Sequence, residues 1–331
     1  MSVMNILVTG GCGFIGHHFI EHVFKNTDWN IIALDRLTYA SNGFDRLRDI
    51  RVFDDKRIRC FTHDLATPIV GGLAYELGPV DYIVHFAAET HVDNSIVNAR
   101  PFVLSNVLGT LEILEYARTA MRNLRRLVYF STDEVFGPAP VGTEFKEWDR
   151  YNCTNPYSAT KAGGEELALA YANTHGVPVI VTHTMNNFGE RQHPEKFIPM
   201  CISNVLTGKR TKIHSNSDKT RPGSRFYLHA RNASDAIMFL LERGSKGDKY
   251  NVVGDREVNN LDLLLYIAEH LGIEPIFELV DFHSSRPGHD LRYALDGNKL
   301  KNMGWVAPVD FEQSLSKTID WYVDNPKWLE Q

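Results

Sequence analysis

Short apolar runs alternate with longer amphipathic stretches through the first half of the chain. The runs are NILVTG, NIIALD, IRCFTHD, YIVHFAA, RLVYFST and VPVIVTH. Runs of this kind are typical of parallel strands that are buried on both faces. The stretches between them, such as GHHFIEHVFKN and SNVLGTLEILEYARTAM, are typical of helices. The pattern predicts an α/β fold, with a Rossmann-type, doubly wound parallel sheet.

The alternation stops after about Phe188. The remaining chain mixes helical patterns such as PEKFIPMCISNVLTGK with strand-like segments such as RFYLHA and KYNVVG. We expect a smaller, mixed α/β C-terminal lobe. The sequence therefore predicts a Rossmann domain over residues 1–188 and a second lobe, mainly for ligand binding, over residues 189–331.

Composition limits the class of protein. The chain has 331 residues, of which 43% are hydrophobic, and a net charge of -6. The absence of a long basic block disfavours nucleic acid as a partner. The chain has four widely spaced cysteines, with no CxxC pair, no apolar run of membrane-spanning length and no signal peptide pattern. We therefore expect a cytoplasmic protein without a membrane partner, and the spacing of its histidines predicts no metal site.

A glycine-rich segment, TGGCGFIGHHF, follows the first apolar run. Gly11, Gly13 and Gly16 match G-x-G-x-x-G, and Gly10, Gly13 and Gly16 match the alternative G-x-x-G-x-x-G spacing. Such a turn lets the backbone approach a pyrophosphate at a helix N-terminus. Asp35 ends the second run at the distance expected of an acid that binds the ribose 2′-hydroxyl. This arrangement favours NAD over NADP, although Arg36 beside it weakens the preference.

Tyr157 and Lys161 lie four residues apart in a predicted helix and share one face. A tyrosine that acts as a base near neutral pH needs its pKa lowered by about 3 units, or roughly 4 kcal/mol. A nearby ammonium group and a positively charged nicotinamide ring could supply that. The pair is common on solvated helix faces, and the glycine-rich turn is what favours a catalytic role here.

Two acids, Asp133 and Glu134, follow Thr132 directly after the apolar run RLVYF. They are either solvated acids in a turn or part of an active site. Two carboxyl groups packed together repel each other, and burial adds to the effect, so the pKa of one of them rises. Such a pair supplies one acid and one base, which is what the elimination of water needs.

Four segments together resemble the extended short-chain dehydrogenase/reductase family. They are TGGCGFIG, HFAAETHVDNS, FSTDEVFG and NPYSATKAG. The acidic pair, with NNFGERQHPEKFIP and RPGHDLRYALD, resembles the nucleotide-sugar 4,6-dehydratases within that family, from Asn5 to about Trp328. The resemblance implies NAD-dependent dehydration of a nucleoside-diphosphate hexose, dTDP-glucose or another NDP-glucose, to the 4-keto-6-deoxyhexose.

The resemblance also implies catalytic roles for five residues. Tyr157, with Lys161, removes the proton of the C4 hydroxyl while a hydride leaves C4, and Thr132 bridges Tyr157 to the sugar. Glu134 removes the C5 proton and Asp133 protonates the departing C6 hydroxyl, after which the hydride returns to C6.

Ligand contacts follow from the glycine turn and from the resemblance. The expected NAD contacts are Gly10, Gly13, Phe14, Ile15, Gly16, Asp35, Arg36, Leu37, Thr38, Asp64, Leu65, Phe86, Ala87, Ala88, Thr90, Ser105, Tyr157, Lys161 and Asn187. The expected nucleotide-sugar contacts are Thr90, Thr132, Asn186, Lys196, Phe197, Arg225, Asn251, Arg286 and His289. Guanidinium groups such as those of Arg225 and Arg286 suit a diphosphate, although either could be an ordinary surface arginine.

The sequence departs from the dTDP-glucose pattern at several places. Ser285 replaces an aspartate, Tyr227 a tryptophan and Phe136 a tyrosine, and the segment KIHSNSDKTRPGSRFYLHA is longer than its counterpart. These changes leave the base open among dTDP, UDP, CDP and GDP, and the hexose open as well.

Two alternatives to dehydration remain. The first is a nucleotide-sugar 4-epimerase or decarboxylase, which would not need the acidic pair. The second is a non-catalytic NAD-binding module, which would have little reason to keep all five catalytic candidates. The helices near 101–119 and 157–175 resemble those of a four-helix dimer interface, so we expect a homodimer.

Overall fold

The computed structural model describes residues 3–281 and 291–330. Its strands are β1 (Asn5–Thr9), β2 (Asn30–Asp35), β3 (Ile58–Thr62), β4 (Tyr82–His85), β5 (Arg126–Thr132), β6 (Val179–Thr184), β7 (Asn187–Phe188), β8 (Thr211–Ser215), β9 (Ser224–Phe226), β10 (Leu228–His229), β11 (Asp248–Val252), β12 (Glu257–Asn259) and β13 (Phe277–Asp281).

The helices follow the same chain order. They are α1 (Phe14–Asn26), α2 (Asp45–Asp49), α3 (Gly71–Leu77), α4 (Val92–Val97), α5 (Arg100–Phe102), α6 (Gly109–Ala120), α7 (Pro156–Thr174), α8 (Phe197–Thr207), α9 (Ala230–Arg243), α10 (Asn260–Leu271), α11 (Asn298–Asn302) and α12 (Phe311–Asp324). A π-helical turn, Val103–Leu108, joins α5 to α6, and a 3₁₀ turn, Asp133–Phe136, follows β5.

The central sheet has seven parallel strands in the order β3-β2-β1-β4-β5-β6-β11. Successive residues of each strand point to opposite faces, so each apolar run supplies two cores. In β1, Ile6 and Val8 pack with α1 and α9 on one face, whereas Leu7 packs with α6 and α7 on the other. The Rossmann-type, doubly wound sheet predicted from the alternating runs is thereby confirmed.

A third core belongs to the C-terminal half. Apolar residues of α8, α10 and α12 pack together there with Ile213 of β8. Two small pairings, parallel β8–β13 and antiparallel β9–β12, lie beside these helices. These helices and strand pairings form a mixed α/β lobe, as the sequence predicted.

The division at residue 188 stays a prediction, and one long segment beyond it returns to the sheet. Helix α9 packs on α1, and β11 pairs with β6 at the sheet edge. The run KYNVVG looked like a strand of the second lobe because its apolar pattern does not say which sheet it joins. No helix in the described ranges is long and apolar enough to cross a membrane.

Candidate active site

The glycine-rich turn between β1 and α1 leaves no room for a side chain at Gly10 or Gly16. The backbone at Gly10 has φ +69, and a Cβ there would lie 2.7 Å from the amide nitrogen of Ala87. A Cβ on Gly16 would overlap the carbonyl oxygen of Gly10. Helix α1 begins at Phe14 without a side-chain cap on its first N–H groups. A close backbone approach and free helical N–H groups are what a pyrophosphate requires.

The carboxylate of Asp35 has a fixed orientation at the end of β2. The backbone N–H of Cys12 donates to its Oδ2 at 3.0 Å, and that of Leu37 donates to its Oδ1 at 2.8 Å. Burial raises the pKa of Asp35, and the two backbone donors oppose that effect. An acceptor so placed beside the glycine turn suits the hydroxyls of a ribose.

The side chain of Arg36 donates to two carboxylates. Its Nη2 donates to Oε1 of Glu89 at 2.6 Å, and its Nη1 donates to Oδ2 of Asp64 at 3.3 Å. The guanidinium is therefore already occupied. The three acids around it disfavour a 2′-phosphate and favour a dinucleotide that lacks one.

A cavity of about 340 Å³, which we call the cofactor cavity, opens at the carboxyl ends of the central strands. Nearly all residues expected at NAD line it: Gly10, Gly13, Phe14, Ile15, Gly16, Asp35, Arg36, Thr38, Asp64, Leu65, Phe86, Ala87, Ala88, Thr90, Ser105, Tyr157, Lys161 and Asn187. Leu37 does not line the cavity. Thr132, Asp133 and Glu134 line its inner end.

Helix α7 holds Tyr157 and Lys161 at the inner end of this cavity. Asn155 caps the helix by accepting from the N–H of Ser158 at 2.9 Å, and Pro156 begins it. The Asn155 amide also donates to Oε2 of Glu134 at 3.3 Å. The residue that starts the catalytic helix therefore also positions the candidate base.

Burial controls the ionisation of both residues. It raises the pKa of Tyr157, with a further rise from the charge of Glu134, while the Thr132 hydroxyl opposes it. It also lowers the pKa of Lys161 to about 7. The Lys161 ammonium donates to the carbonyl of Phe130 at 2.7 Å. The lowered tyrosine pKa that we expected is thus not a property of the protein alone, because burial acts in the opposite direction.

The acidic pair occupies the 3₁₀ turn that follows β5. The Thr132 hydroxyl donates to Oδ1 of Asp133 at 3.0 Å and accepts from the N–H of Glu134 at 3.3 Å. Asp133 is only 3% exposed, whereas Glu134 is partly exposed and borders open space on both sides. The two neighbouring carboxyl groups therefore lie in different environments.

Burial raises the pKa of Asp133 to about 6, and Arg225 and the Thr132 hydroxyl partly oppose it. Its second oxygen, Oδ2, is buried and has no hydrogen-bond partner among the described residues. A carboxyl group with a raised pKa and a free oxygen suits a general acid.

A second cavity, of about 240 Å³, continues from the first, and we call it the nucleotide cavity. Several residues line both and mark the junction: Thr90, Glu134, Asn186, Asn187, Gln192, Glu195 and Lys196. Phe197 and Arg225 line the nucleotide cavity alone, as expected of sugar-nucleotide contacts. The Arg225 guanidinium lies 4.6 Å from the ring centre of Tyr293.

Asn251 does not reach either cavity. It is fully buried, and its amide donates to the carbonyls of Phe145 at 2.9 Å and Asp296 at 3.0 Å. Its Oδ1 lies 3.1 Å from Nδ1 of His183. These contacts support neighbouring segments, and the substrate contact that the sequence predicted for Asn251 stays a prediction. Arg286, His289 and Ser285 lie outside the described residues.

Sequence reasoning missed a polar pair in the nucleotide cavity. The Tyr227 hydroxyl donates to Oδ1 of Asn260 at 2.8 Å, and both side chains line the cavity. Asn260 follows Asn259, which caps α10. The dipeptide indicates only a helix start, so the sequence offered no signal that its second asparagine faces a ligand.

Comparisons with known proteins identify the family of this chain. The model of the family described as GDP-mannose 4,6 dehydratase matches residues 7–318. A dTDP-glucose 4,6-dehydratase of Escherichia coli is 36% identical over 99% of this chain and 96% of its own length. A trifunctional Arabidopsis thaliana protein, whose name begins with UDP-glucose 4,6-dehydratase, is 37% identical over 98% of this chain and 48% of its own.

The fold has a solved relative of the same kind. A dTDP-glucose 4,6-dehydratase from Streptomyces venezuelae, solved with NAD bound, superposes with a TM-score of 0.89 and 36% identity. The match covers 99% of both chains.

Proposed function

The chain belongs to the GDP-mannose 4,6-dehydratase family, and from this membership and its site we propose that it dehydrates a nucleoside-diphosphate glucose. The reaction is NAD-dependent and removes water across C5 and C6 to give the 4-keto-6-deoxyhexose. The single observation that carries the proposal is the contrast between buried Asp133, with its pKa of about 6, and Glu134 at the junction of the cavities.

The cofactor cavity fits NAD. The glycine turn would receive the pyrophosphate, and Asp35 the adenosine ribose, because these groups supply free N–H donors and a fixed acceptor. When bound, NAD accepts a hydride from C4 of the hexose and later returns it to C6, so it is regenerated in each cycle.

The chain itself moves the protons. Tyr157 removes the proton of the C4 hydroxyl, and the C4 ketone then acidifies the C5 hydrogen. Glu134 removes that hydrogen as a proton, and Asp133 delivers a proton to the C6 hydroxyl, which leaves as water. The proton held by Glu134 returns to C5 when the hydride is returned to C6. Each proton transfer of this kind contributes about 10²- to 10⁴-fold to the rate.

Lys161 stabilises the deprotonated form of Tyr157. Lys161 is 4% exposed and follows Tyr157 by one helical turn, and a buried positive charge beside a tyrosine favours the phenolate. The buried Glu165 opposes the loss of the Lys161 proton. The nicotinamide ring adds a second positive charge when NAD is bound, which offsets the effect of burial.

The nucleotide cavity binds the nucleoside diphosphate. Lys196 at the junction and Arg225 deeper in the cavity supply the cations, and Tyr227 and Asn260 supply neutral polar contacts for the base. The named relatives include both dTDP- and UDP-glucose dehydratases, so the base is an open part of the proposal.

A substrate panel tests the proposal. The purified protein, without added NAD, is offered dTDP-, UDP-, CDP- and GDP-glucose, with GDP-mannose and UDP-N-acetylglucosamine, and the products are identified by mass spectrometry and NMR. Loss of one water from one substrate supports the proposal and identifies the base. An isomer of unchanged mass would instead indicate an epimerase.

We also propose a cytoplasmic homodimer. Apolar side chains on and beside the π-helical turn are exposed, namely Val97, Val103 and Leu104. A helical surface of this kind favours pairing with a second copy. Light scattering after size exclusion tests the stoichiometry, and Leu104→Glu is expected to shift it to a monomer.

A further inference from the structure

The Arg36–Glu89 ion pair lies at the cofactor cavity, which both side chains line. Arg36 follows β2 and Glu89 follows β4, and in the sheet these two strands flank β1. The strand ends therefore stand two strand spacings apart, about 10 Å. The glycine turn lies between them at the end of β1. The 2.6 Å contact from Nη2 to Oε1 spans the crevice in which a dinucleotide binds in folds of this type.

Both ends of this bridge are fixed to the fold. At one end, Asp35 is held by the backbone N–H groups of Cys12 and Leu37. At the other end, the N–H of Glu89 donates to Asn106 at 2.8 Å, and the Asn106 amide donates to the Glu89 carbonyl at 3.0 Å. Only the two side chains must move to open the bridge.

The surroundings strengthen the bridge. Glu89 is 18% exposed and Arg36 35% exposed, so solvent screens the pair less than a free surface pair. Asp64 lies on the far side of the guanidinium at 3.3 Å and steadies it. Both bridging side chains line the cavity and so face its contents.

We propose that Arg36 and Glu89 form a strap that closes over bound NAD and slows its release. This inference rests on the proposed function, in which NAD is regenerated in each cycle and gains nothing from leaving. The strap makes Glu89 a positioning residue that acts on cofactor retention through Arg36. A charge bridge that opens by side-chain rotation retains the dinucleotide without blocking its initial entry.

Cofactor release tests the strap by a double-mutant cycle. Each protein is loaded with radiolabelled NAD, and loss of label is followed after addition of excess unlabelled NAD. The set comprises wild type, Arg36→Ala, Glu89→Gln and the double variant. We expect each single variant to release NAD about tenfold faster than wild type. The double variant should release NAD no faster than Arg36→Ala, because either substitution alone already removes the Arg36–Glu89 ion pair.

Two further measurements sharpen the test. Arg48→Ala, which removes an exposed ion pair with Asp45, is the matched control and should leave the release rate unchanged. High salt should accelerate release from wild type more than from Glu89→Gln, since only the former has a bridge to screen.

Three outcomes would overturn the strap. Single-variant rates within twofold of wild type would show that the bridge does not limit release. Multiplied effects in the double variant would show that Arg36 and Glu89 act independently. A faster rate for Arg36→Ala alone would show a direct contact of Arg36 with NAD. A wild-type protein that binds no NAD would instead contradict the proposed function itself.

Discussion

The cofactor cavity and the nucleotide cavity share a border but are built differently. The first is formed by backbone at the ends of neighbouring strands, where the glycine turn, Asp35 and the Ala87–Ala88 segment approach each other. The second is formed by side chains from distant parts of the chain, such as Lys196, Arg225 and Asn260. A cavity formed by closely packed backbone tolerates few substitutions. A cavity formed by side chains can come to bind a different ligand when those side chains are substituted.

Of the five residues proposed as catalytic, Glu134 lies where the two cavities meet and the other four line the cofactor cavity beside it. Glu134 lines both, and the Asn155 amide ties it to the helix that carries Tyr157. The geometry of the catalytic groups at this border is therefore fixed by the rigid backbone of the cofactor cavity. The identity of the nucleotide is set by the side chains of the nucleotide cavity, which can vary. The predictions below test this division.

Glu134→Gln should have the largest effect. The amide cannot remove the C5 proton, so the rate of water loss should fall by roughly 10²- to 10⁴-fold. Hydride transfer from C4 should persist, and mixing with substrate should still produce the absorbance of reduced nicotinamide. A variant that dehydrates at the wild-type rate would show that another residue is the base.

Gly16→Ala should disable the cofactor side. The new Cβ would overlap the Gly10 carbonyl oxygen, so the turn must open. Its N–H groups would then no longer be oriented to donate to the pyrophosphate. Overpacking of this kind costs about 1–3 kcal/mol, and we expect the affinity for NAD, measured by calorimetry, to fall by about 100-fold.

Gly72→Ala is the matched control for the glycine turn, because a Cβ at that position meets no atom within 4 Å. It should leave the affinity for NAD unchanged. Equal losses in both variants would mean that the effect belongs to glycine replacement in general, and the contrast between rigid and adaptable cavities would lose its support.

Asp133→Asn should increase stability while it removes activity. Folding raises the pKa of Asp133 from 3.8 to about 6, so the folded state binds the proton more tightly than the unfolded state. The free energy of unfolding therefore decreases as pH rises from about 4 to about 6, and the charged form costs at most about 3 kcal/mol at neutral pH. The neutral amide avoids that cost.

Denaturant unfolding of the two proteins at pH 4 and pH 7 measures this effect. The variant should be the more stable protein at pH 7, and the difference should shrink at pH 4. Asp54→Asn, at an exposed position, should change stability by less than about 0.5 kcal/mol at both pH values. A variant that is less stable than wild type at pH 7 would show that Asp133 is not destabilised by its burial.

The residues predicted for the cofactor side lie around one cavity, because the determinants of their positions are local. The glycine spacing, the acid at the end of β2 and the four-residue Tyr157–Lys161 spacing each lie within one strand–turn–helix unit. Backbone geometry there follows from neighbouring residues, so residues that form a motif in the sequence also lie close together in the structure. Leu37 shows the limit, since the motif gave its position but not that only its backbone N–H serves the site.

The nucleotide side could not be predicted in the same way. Asn251 lies within the strand-like run KYNVVG and Asn260 directly follows β12, and nothing in either segment says which asparagine is buried and which lines the cavity. Their difference arises because β11 joins the edge of the large sheet, where Asn251 meets His183 of β6. Such pairing over a long chain separation leaves no local signal.

Asn260→Ala should have the smallest effect, and it is the most informative about the nucleotide cavity. The substitution removes a polar contact and the partner of Tyr227, so KM for the nucleotide sugar should rise by about tenfold while kcat and NAD affinity stay unchanged.

Asn251→Ala should do the reverse: KM stays constant, and the free energy of unfolding falls by about 2–3 kcal/mol as buried groups lose their partners. If Asn251→Ala instead raised KM and left stability unchanged, the sequence-based prediction that Asn251 contacts the substrate would be right. Our interpretation of Asn251 as a buried structural residue would then be wrong. Steady-state kinetics and denaturant unfolding on both variants decide between the two asparagines.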